Sequence, residues 1–155
     1  MMPTGRNPAP IDPRGPRFNQ AVLSVGLLAA FLFDVRWAVP SFGVCLALGA
    51  AFGPSYGPFL RFYAKVVRPR LAAPKELEDP RPPRFAASVG TAFLAAASIG
   101  FAAGGSVLGW VIALFVAALA GLAAITEICV GCEIYLAVAP LLHRLSGPAM
   151  PDATP

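Results

Sequence analysis

The longest uncharged run in the sequence covers residues 85–126, which is 42 residues. A single helix of that length would measure about 63 Å, at about 1.5 Å per residue, which is twice the roughly 30 Å of a bilayer's hydrocarbon core. The run must therefore fold back on itself. The glycines that predict the turn are Gly100, Gly104 and Gly105. Two membrane-spanning helices result, over residues 85–103 and 107–126.

Two shorter uncharged runs predict two more spans. They cover residues 18–33 and 37–60, and they are separated by the charged turn at Asp34 and Arg36. The chain is 57% apolar and 13% charged, against about 25% charged in a soluble domain, which argues against a water-soluble enzyme. A cleaved signal peptide is the alternative for the first run, but no A-x-A site follows it. We therefore expect an all-α integral membrane bundle of four transmembrane helices with short interfacial helices.

The basic residues predict the orientation of the bundle. Of the 12 Lys and Arg residues, only Arg36 falls on the side of the two short turns, and the rest lie on the side of the termini and the central connection. By the positive-inside rule both termini and residues 61–84 face the cytoplasm. The expected location is the cell inner (plasma) membrane, multi-pass, with the lipid bilayer as partner. The net charge of +4 is explained in this way, and no nucleic acid partner is expected.

A heptapeptide occurs twice. DPRGPRF at residues 12–18 returns as DPRPPRF at residues 79–85, with six of seven positions identical at an offset of 67, and each copy leads into a predicted span. A weaker match lays residues 57–71 on residues 131–145. We therefore expect two parallel helical-hairpin repeats, 12–71 and 79–145, within a membrane domain of residues 12–145. Residues 1–11 and 146–155 are expected to be disordered tails.

The two DPR-x-PRF boxes have two interpretations. In the first, proline stiffens each helix entry, and the arginines bind lipid phosphates or the box aspartates. In the second, the arginines form an anion site, which a transporter of small sulfur oxyanions would use. Residues 59–68 alternate apolar and basic positions at helical spacing, which predicts an interfacial helix that anchors to the membrane or docks a partner.

Cys129 and Cys132 form the one constellation with chemical content. This C-x-x-C pair follows the fourth span on the cytoplasmic side, between Glu127 and Glu133. Thiols are kept reduced in the cytosol, so such a pair indicates redox exchange, sulfur exchange or metal binding more often than a structural disulfide. If Gly131 breaks the helix, Cys132 begins the next one and gains its N-terminal dipole, while the carboxylates oppose thiolate formation.

The remaining residues of interest are less informative. The weaker repeat alignment puts Ser55 and Pro58 of the first half opposite the cysteine pair, so the site is expected once. Cys45 lies ten residues before Ser55, about 15 Å deeper in the bilayer by helical rise, and is predicted to be a packing residue. Zinc needs four ligands, and beyond the thiols only Glu127, Glu133 and His143 are near, so a zinc site would need a homodimer with a Cys₄ centre. No cofactor is expected.

The motifs in this order resemble the bacterial membrane family catalogued as domain of unknown function 4395, which is common in high-GC actinobacteria. The motifs are IDPRGPRF at residues 11–18, VRPRL at 67–71, LEDPRPPRF at 77–85 and CVGCEIY at 129–135. The resemblance covers residues 11–145, and Cys129, Gly131, Cys132 and Tyr135 match its C-x-G-C-x-x-Y pattern. It implies association with thioredoxin-like proteins and thiosulfate sulfurtransferases. We therefore expect thiol-disulfide or sulfane-sulfur exchange through Cys129 and Cys132; the alternative is a scaffold without turnover.

Overall fold

A computed structural model describes residues 11–53, 57–71 and 77–145, with side chains as far as residue 140. The two expected tails and Ser55 therefore lie outside the described residues, except for Ile11. The helices are α1 (Arg14–Leu32), α2 (Ala38–Phe52), α3 (Pro58–Phe62), α4 (Arg81–Ala102), α5 (Ser106–Thr126) and α6 (Val130–Leu145). Within these ranges the structure contains no strand, and the all-α prediction is confirmed.

The four longer helices before α6 form a bundle in which the two halves of the chain interleave. α1 packs against α5, α2 packs against α4, and α4 also contacts α5 and α6. α1 and α2, although adjacent in sequence, contact each other much less than they contact the second half. The largest fully buried side chains are Leu27, Val39 and Leu94. Alanines of α5 complete this core, and their small size lets the helices approach closely.

The turn between α4 and α5 lies where the glycines predict it, with one difference. Gly104 has φ +83°, and its N–H and that of Gly105 bind the carbonyls of Phe101 and Gly100 at 3.1 and 2.9 Å. These two bonds make a Schellman motif, which ends a helix with a glycine in the left-handed region. Gly100 itself is not in the turn but in α4, where an added Cβ would lie 3.4 Å from the Gly109 nitrogen.

Two helices are long and apolar enough to cross a membrane, Arg81–Ala102 and Ser106–Thr126. Ala38–Phe52 is apolar but has 15 residues, and the first turns of α1 carry Arg14, Arg17 and two carboxamides, which lower its hydropathy. Only 11% of the apolar part of α4 is buried inside the bundle, so this helix contributes a few residues to the core and also exposes apolar side chains.

The two heptapeptide boxes begin α1 and α4 with the same contacts. Asp12 Oδ1 accepts the Arg14 N–H at 3.0 Å, and Asp79 Oδ1 accepts the Arg81 N–H at 2.9 Å. Just before the boxes, Ile11 and Glu78 exchange two backbone hydrogen bonds of 2.9 Å in an antiparallel bridge. These two bridge residues are separated by 67 positions, the same offset as the boxes.

The last arginine of each box binds a helix end from the other half of the chain. Arg84 donates from Nη2 and Nε to the Ala50 carbonyl at 2.9 and 3.1 Å, and from Nη2 to the Ala51 carbonyl at 3.1 Å. These carbonyls belong to the last turn of α2, where no intrahelical donor remains for them. Arg17 forms an ion pair with Glu127, directly after α5. The partners of Arg17 and Arg84 are thus helix-end groups rather than the box aspartates.

The helix predicted over residues 59–68 is present, because α3 continues through a π-helical turn, Tyr63–Val67, and a 3₁₀ turn, Arg68–Arg70. Tyr63 is buried, lies 3.7 Å from where a Cβ of Gly15 would be, and donates a hydrogen bond to Asp12 at 3.4 Å. This segment therefore packs under the start of α1.

Candidate functional site

The cysteine pair lies where the chain leaves α5 and enters α6. Glu127 ends α5 with φ +66°, in the left-handed region that non-glycine residues seldom occupy. Two residues later the Cys129 carbonyl accepts the Glu133 N–H at 3.0 Å, which is the first intrahelical bond of α6. Cys129 is therefore the N-cap residue of α6. The conditional prediction of a break at Gly131 is wrong, because Gly131 lies inside α6 and the break precedes Cys129.

The Cys129 sulfur lies among several donor groups. As the side chain of the N-cap residue, it lies near the free backbone N–H groups of the first turn of α6, among them those of Gly131 and Cys132. The Cys132 thiol lies near it as well. From the facing helix α1, the Gln20 amide donates to it at 3.3 Å. This set of donors surrounds the sulfur with partial positive charge.

These donors stabilise the thiolate of Cys129. The Cys132 thiol has the largest effect, followed by the two backbone amides and Gln20, and together they outweigh the burial that favours the neutral form. They lower the pKa of Cys129 from 9.0 to about 6. The thiolate is the nucleophilic form of cysteine, so the lowered pKa makes Cys129 the more nucleophilic of the two thiols.

Cys132 has the opposite character. Its pKa is raised, first because its thiol donates to Cys129, then because of burial, and then because negative charge lies near it on Cys129, Glu78 and Glu133. Cys132 therefore keeps its proton at neutral pH. The two cysteines therefore differ in character, because the surroundings favour the thiolate at Cys129 and the protonated thiol at Cys132.

Packing against α4 fixes where α6 begins. A Cβ on Gly131 would lie 2.7 Å from the Cβ of Ala86, far inside normal contact distance. Only glycine allows the first turn of α6 to approach α4 this closely. The ion pair between Arg17 and Glu127 ties the same corner to α1. The thiol pair is thus held by three helices of the bundle.

A cavity of about 360 Å³ lies behind Cys129. It is lined mainly by apolar side chains and by glycine, and it extends between the helices as far as Phe93 and Phe115. Gln20, which donates to the Cys129 sulfur, and Arg84 are polar residues of this lining. Cys45 also lines this cavity, whereas Cys132 does not. All three cysteines are unpaired.

The structure brings together Cys129 and Cys132, as the sequence predicts, but it adds no third metal ligand. Among the described residues no group of three or more His, Cys, Asp and Glu side chains could hold a metal ion. Glu127 is turned toward Arg17, and the side chain of His143 is outside the described part. A single copy therefore supplies two thiol ligands in the described region, and zinc would need a second copy.

The sequence interpretation missed three residues that act on the pair. Gln20 and Glu78 are far from the cysteines in sequence, and no local pattern connects them. Ala86 lies one residue after the second box, and its role depends on the approach of α6. The sequence did contain one indication of the close packing against α4. Gly131 lies between the two cysteines, and a glycine in such a position indicates either a helix end or a close approach of two backbones.

The model of the family described as Domain of unknown function (DUF4395) matches residues 11–139 of the chain. This range includes both boxes and the cysteine pair. No curated protein matches the chain, and no solved structure matches it. The resemblance inferred from the four motifs is confirmed.

Proposed function

We propose that this chain, which belongs to the DUF4395 family, is a multi-pass membrane protein whose Cys129 and Cys132 exchange electrons or sulfane sulfur with a soluble thioredoxin-like or sulfurtransferase partner. The observation that carries this proposal is the position of the Cys129 sulfur at the N-terminus of α6, where the Gln20 amide donates to it at 3.3 Å and Cys132 lies in the first turn of the helix. A merely structural pair needs neither the donors around one sulfur nor the difference between the two thiols.

The exchange reaction follows from these two protonation states. The Cys129 thiolate attacks a sulfur of the partner's disulfide, one S–S bond forms, and the other partner sulfur leaves as a thiolate. Cys132 then attacks the Cys129 sulfur, its proton passes to water, and the second partner thiolate leaves. The partner disulfide is reduced and the pair becomes a disulfide. With a persulfide R–S–SH, Cys129 takes the outer sulfur and RS⁻ leaves. Cys132 then attacks the Cys129 sulfur, the Cys129–Cys132 disulfide forms, and the transferred sulfur leaves as HS⁻.

The membrane part of the proposal is supported by where the apolar side chains lie. Large apolar side chains are exposed on the outside of the bundle, and Phe33, Val107 and Ile125 have 79%, 77% and 84% of their surface accessible. In water such a surface would drive aggregation, whereas lipid accepts it. We propose that α1 and α2 span together with α4 and α5, with the basic residues and the cysteine pair on the cytoplasmic side.

The proposed parallel repeat is supported by contacts rather than by composition. Two residues 67 positions apart exchange hydrogen bonds with each other, as equivalent residues do on a twofold axis. The helix pairs α1 with α5 and α4 with α2 would be equivalent under the same rotation. The axis would run between the halves along the membrane normal.

The test is a thiol count in cells that express the protein. Cells are quenched in acid, and the shift caused by a heavy maleimide is compared before and after reduction. We expect two thiols that appear only after reduction, in a fraction that changes with added oxidant or with loss of thioredoxin. Cys129→Ser with Cys132→Ser should abolish this response, and Cys45→Ser, the matched control, should keep it.

Two results would contradict the redox proposal. In the first, both thiols stay free whatever the oxidant or thioredoxin level. In the second, a chelator exposes the thiols and the purified protein carries one zinc per two chains, which identifies a Cys₄ site at a dimer interface. The first result leaves a membrane scaffold as the function, and the second leaves a binding module.

A further inference from the structure

We propose that the cavity behind Cys129 binds a membrane-soluble quinone, which takes the electrons of the cysteine pair. This inference rests on the proposed redox function and names the second substrate class of the same site. The pair would then carry electrons from a soluble dithiol partner at the membrane surface, which reduces the Cys129–Cys132 disulfide by the reverse of the exchange described above, to a quinone within the bundle.

The lining and the size of the cavity suit an elongated apolar ligand. Arg84 and Phe93, which are nine residues apart on α4, both line it. Nine residues correspond to about 14 Å of helix. An apolar space of about 360 Å³ fits a ring followed by the first part of an apolar tail, and such a volume is at the lower end of small-molecule sites.

The polar groups of the cavity match the oxygens of a quinone. A quinone carbonyl accepts hydrogen bonds, and its reduced form carries negative charge as it develops. The carboxamide of Gln20 lines the cavity and is a donor beside the Cys129 sulfur, and the guanidinium of Arg84, whose Nε and Nη2 bind carbonyls of α2, is a second donor group in the lining. Among the described residues that line the cavity there is no carboxylate. The donors and the absence of acidic side chains in this lining favour an acceptor ligand over a cationic one.

The order of the two cysteines also fits a ligand that arrives from within. Cys129 lines the cavity and Cys132 does not, so the bound ring meets the nucleophilic sulfur first. The Cys129 thiolate forms a C–S bond with the ring next to a carbonyl. Cys132 then attacks the Cys129 sulfur, the S–S bond forms, and the C–S electron pair returns to the ring. Two electrons pass to the ring, one proton comes from Cys132 and one from water, and the products are a disulfide and a hydroquinone.

The test uses the purified full chain in lipid nanodiscs without oxygen, with decylubiquinone as oxidant, because its fully substituted ring forms no lasting thiol adduct. Quinone reduction is followed by absorbance, and the disulfide by mass spectrometry. Leu119→Trp fills the cavity from α5, and Leu122→Trp is the matched control on the same helix, since Leu119 lines the cavity and Leu122 is exposed outside it. We expect Leu119→Trp to slow quinone reduction at least tenfold and Leu122→Trp to leave it unchanged.

Oxidised glutathione, which reacts from water, separates the possible failures. Equal oxidation of all variants by glutathione disulfide shows that the pair is folded and reactive. If decylubiquinone then fails with the wild type, or oxidises Leu119→Trp as fast as the wild type, the quinone site is refuted and the proposed function stands. If neither oxidant forms the disulfide in the wild type, both proposals fail. Should Leu119→Trp lose both reactions, Val89→Trp fills the same cavity from α4 and decides the question by the same criteria.

Discussion

Among the described residues of the first half of the chain, Gln20 is the one side-chain donor to the Cys129 sulfur. Removing this donor tests whether it helps to stabilise the Cys129 thiolate. Gln20→Leu keeps the size of the side chain and deletes the N–H. A hydrogen bond to a charged group contributes about 1.5–3 kcal/mol, and one pKa unit corresponds to about 1.36 kcal/mol. Complete loss without compensation would therefore raise the pKa by about 1–2 units.

The expected effect is smaller than this bound because the backbone amides and Cys132 still donate to the sulfur. Sulfur is also a weak acceptor, and the bond length is 3.3 Å. We expect the pKa of Cys129 to rise from about 6 by about 0.5–1 unit. Because only the thiolate reacts, alkylation at pH 6 should slow by about two- to fivefold, whereas the rates at pH 9 should be equal.

The assay is the rate of alkylation by iodoacetamide as a function of pH, read for Cys129 by mass spectrometry. In the wild type the rate should rise with a midpoint near pH 6, not near the 9.0 of an ordinary thiol. Gln20→Glu, which adds a negative charge at the same place, should move the midpoint further upward than Gln20→Leu. Ser24→Ala removes a buried hydroxyl one turn along α1 and should not move it. An unchanged midpoint in Gln20→Leu, or a Gln20→Glu shift no larger than the leucine one, would refute this account of the thiolate.

Two further predictions test the frame of the site. Gly131→Ala should destabilise the protein by about 1–3 kcal/mol in thermal unfolding, because the added Cβ would lie 2.7 Å from Ala86. The control Gly49→Ala, whose nearest contact would be 3.7 Å, should destabilise the protein by less than half as much. Equal losses of stability would contradict the close approach of α6 and α4. In a variant without native cysteines, Arg36→Cys should react with an impermeant maleimide in intact cells and Arg61→Cys should react only after lysis, and the reverse pattern would overturn the proposed orientation.

Much of the fold follows from the sequence because its signals are local. The turn glycines place the turn of α4 into α5 to within one residue, whereas α1 and α4 begin at Arg14 and Arg81, four residues before the predicted starts at residues 18 and 85, because the boxes belong to the helices rather than precede them. What the sequence does not contain is which helices touch. The helices α1 and α2 are adjacent in sequence, which favours packing against each other, yet each packs mainly against a helix from the second half of the chain.

The site shows the same division between local and distant information. The identity of Cys129 and Cys132 is evident from their spacing, but their roles are not, because the roles depend on where α6 begins. That start is set by Glu127 in the left-handed region and by Gly131 against Ala86. A shift of the helix start by three residues would give the N-terminal amides to Cys132 instead. Tertiary packing thus decides which thiol becomes the nucleophile.

The two box arginines explain how a duplicated frame can carry one reactive site. Arg17 and Arg84 occupy the same box position, and each reaches the end of a helix from the other half. Arg84 meets backbone carbonyls of α2, an interaction that any sequence at that position supplies. Arg17 meets the side chain of Glu127, two residues before Cys129, and so ties α1 to the corner that orients the thiolate. Under the proposed repeat, the helix-end contact in each half needs only the box arginine. The reactive cysteines occur once because they belong to the segment that follows α5 in the second half.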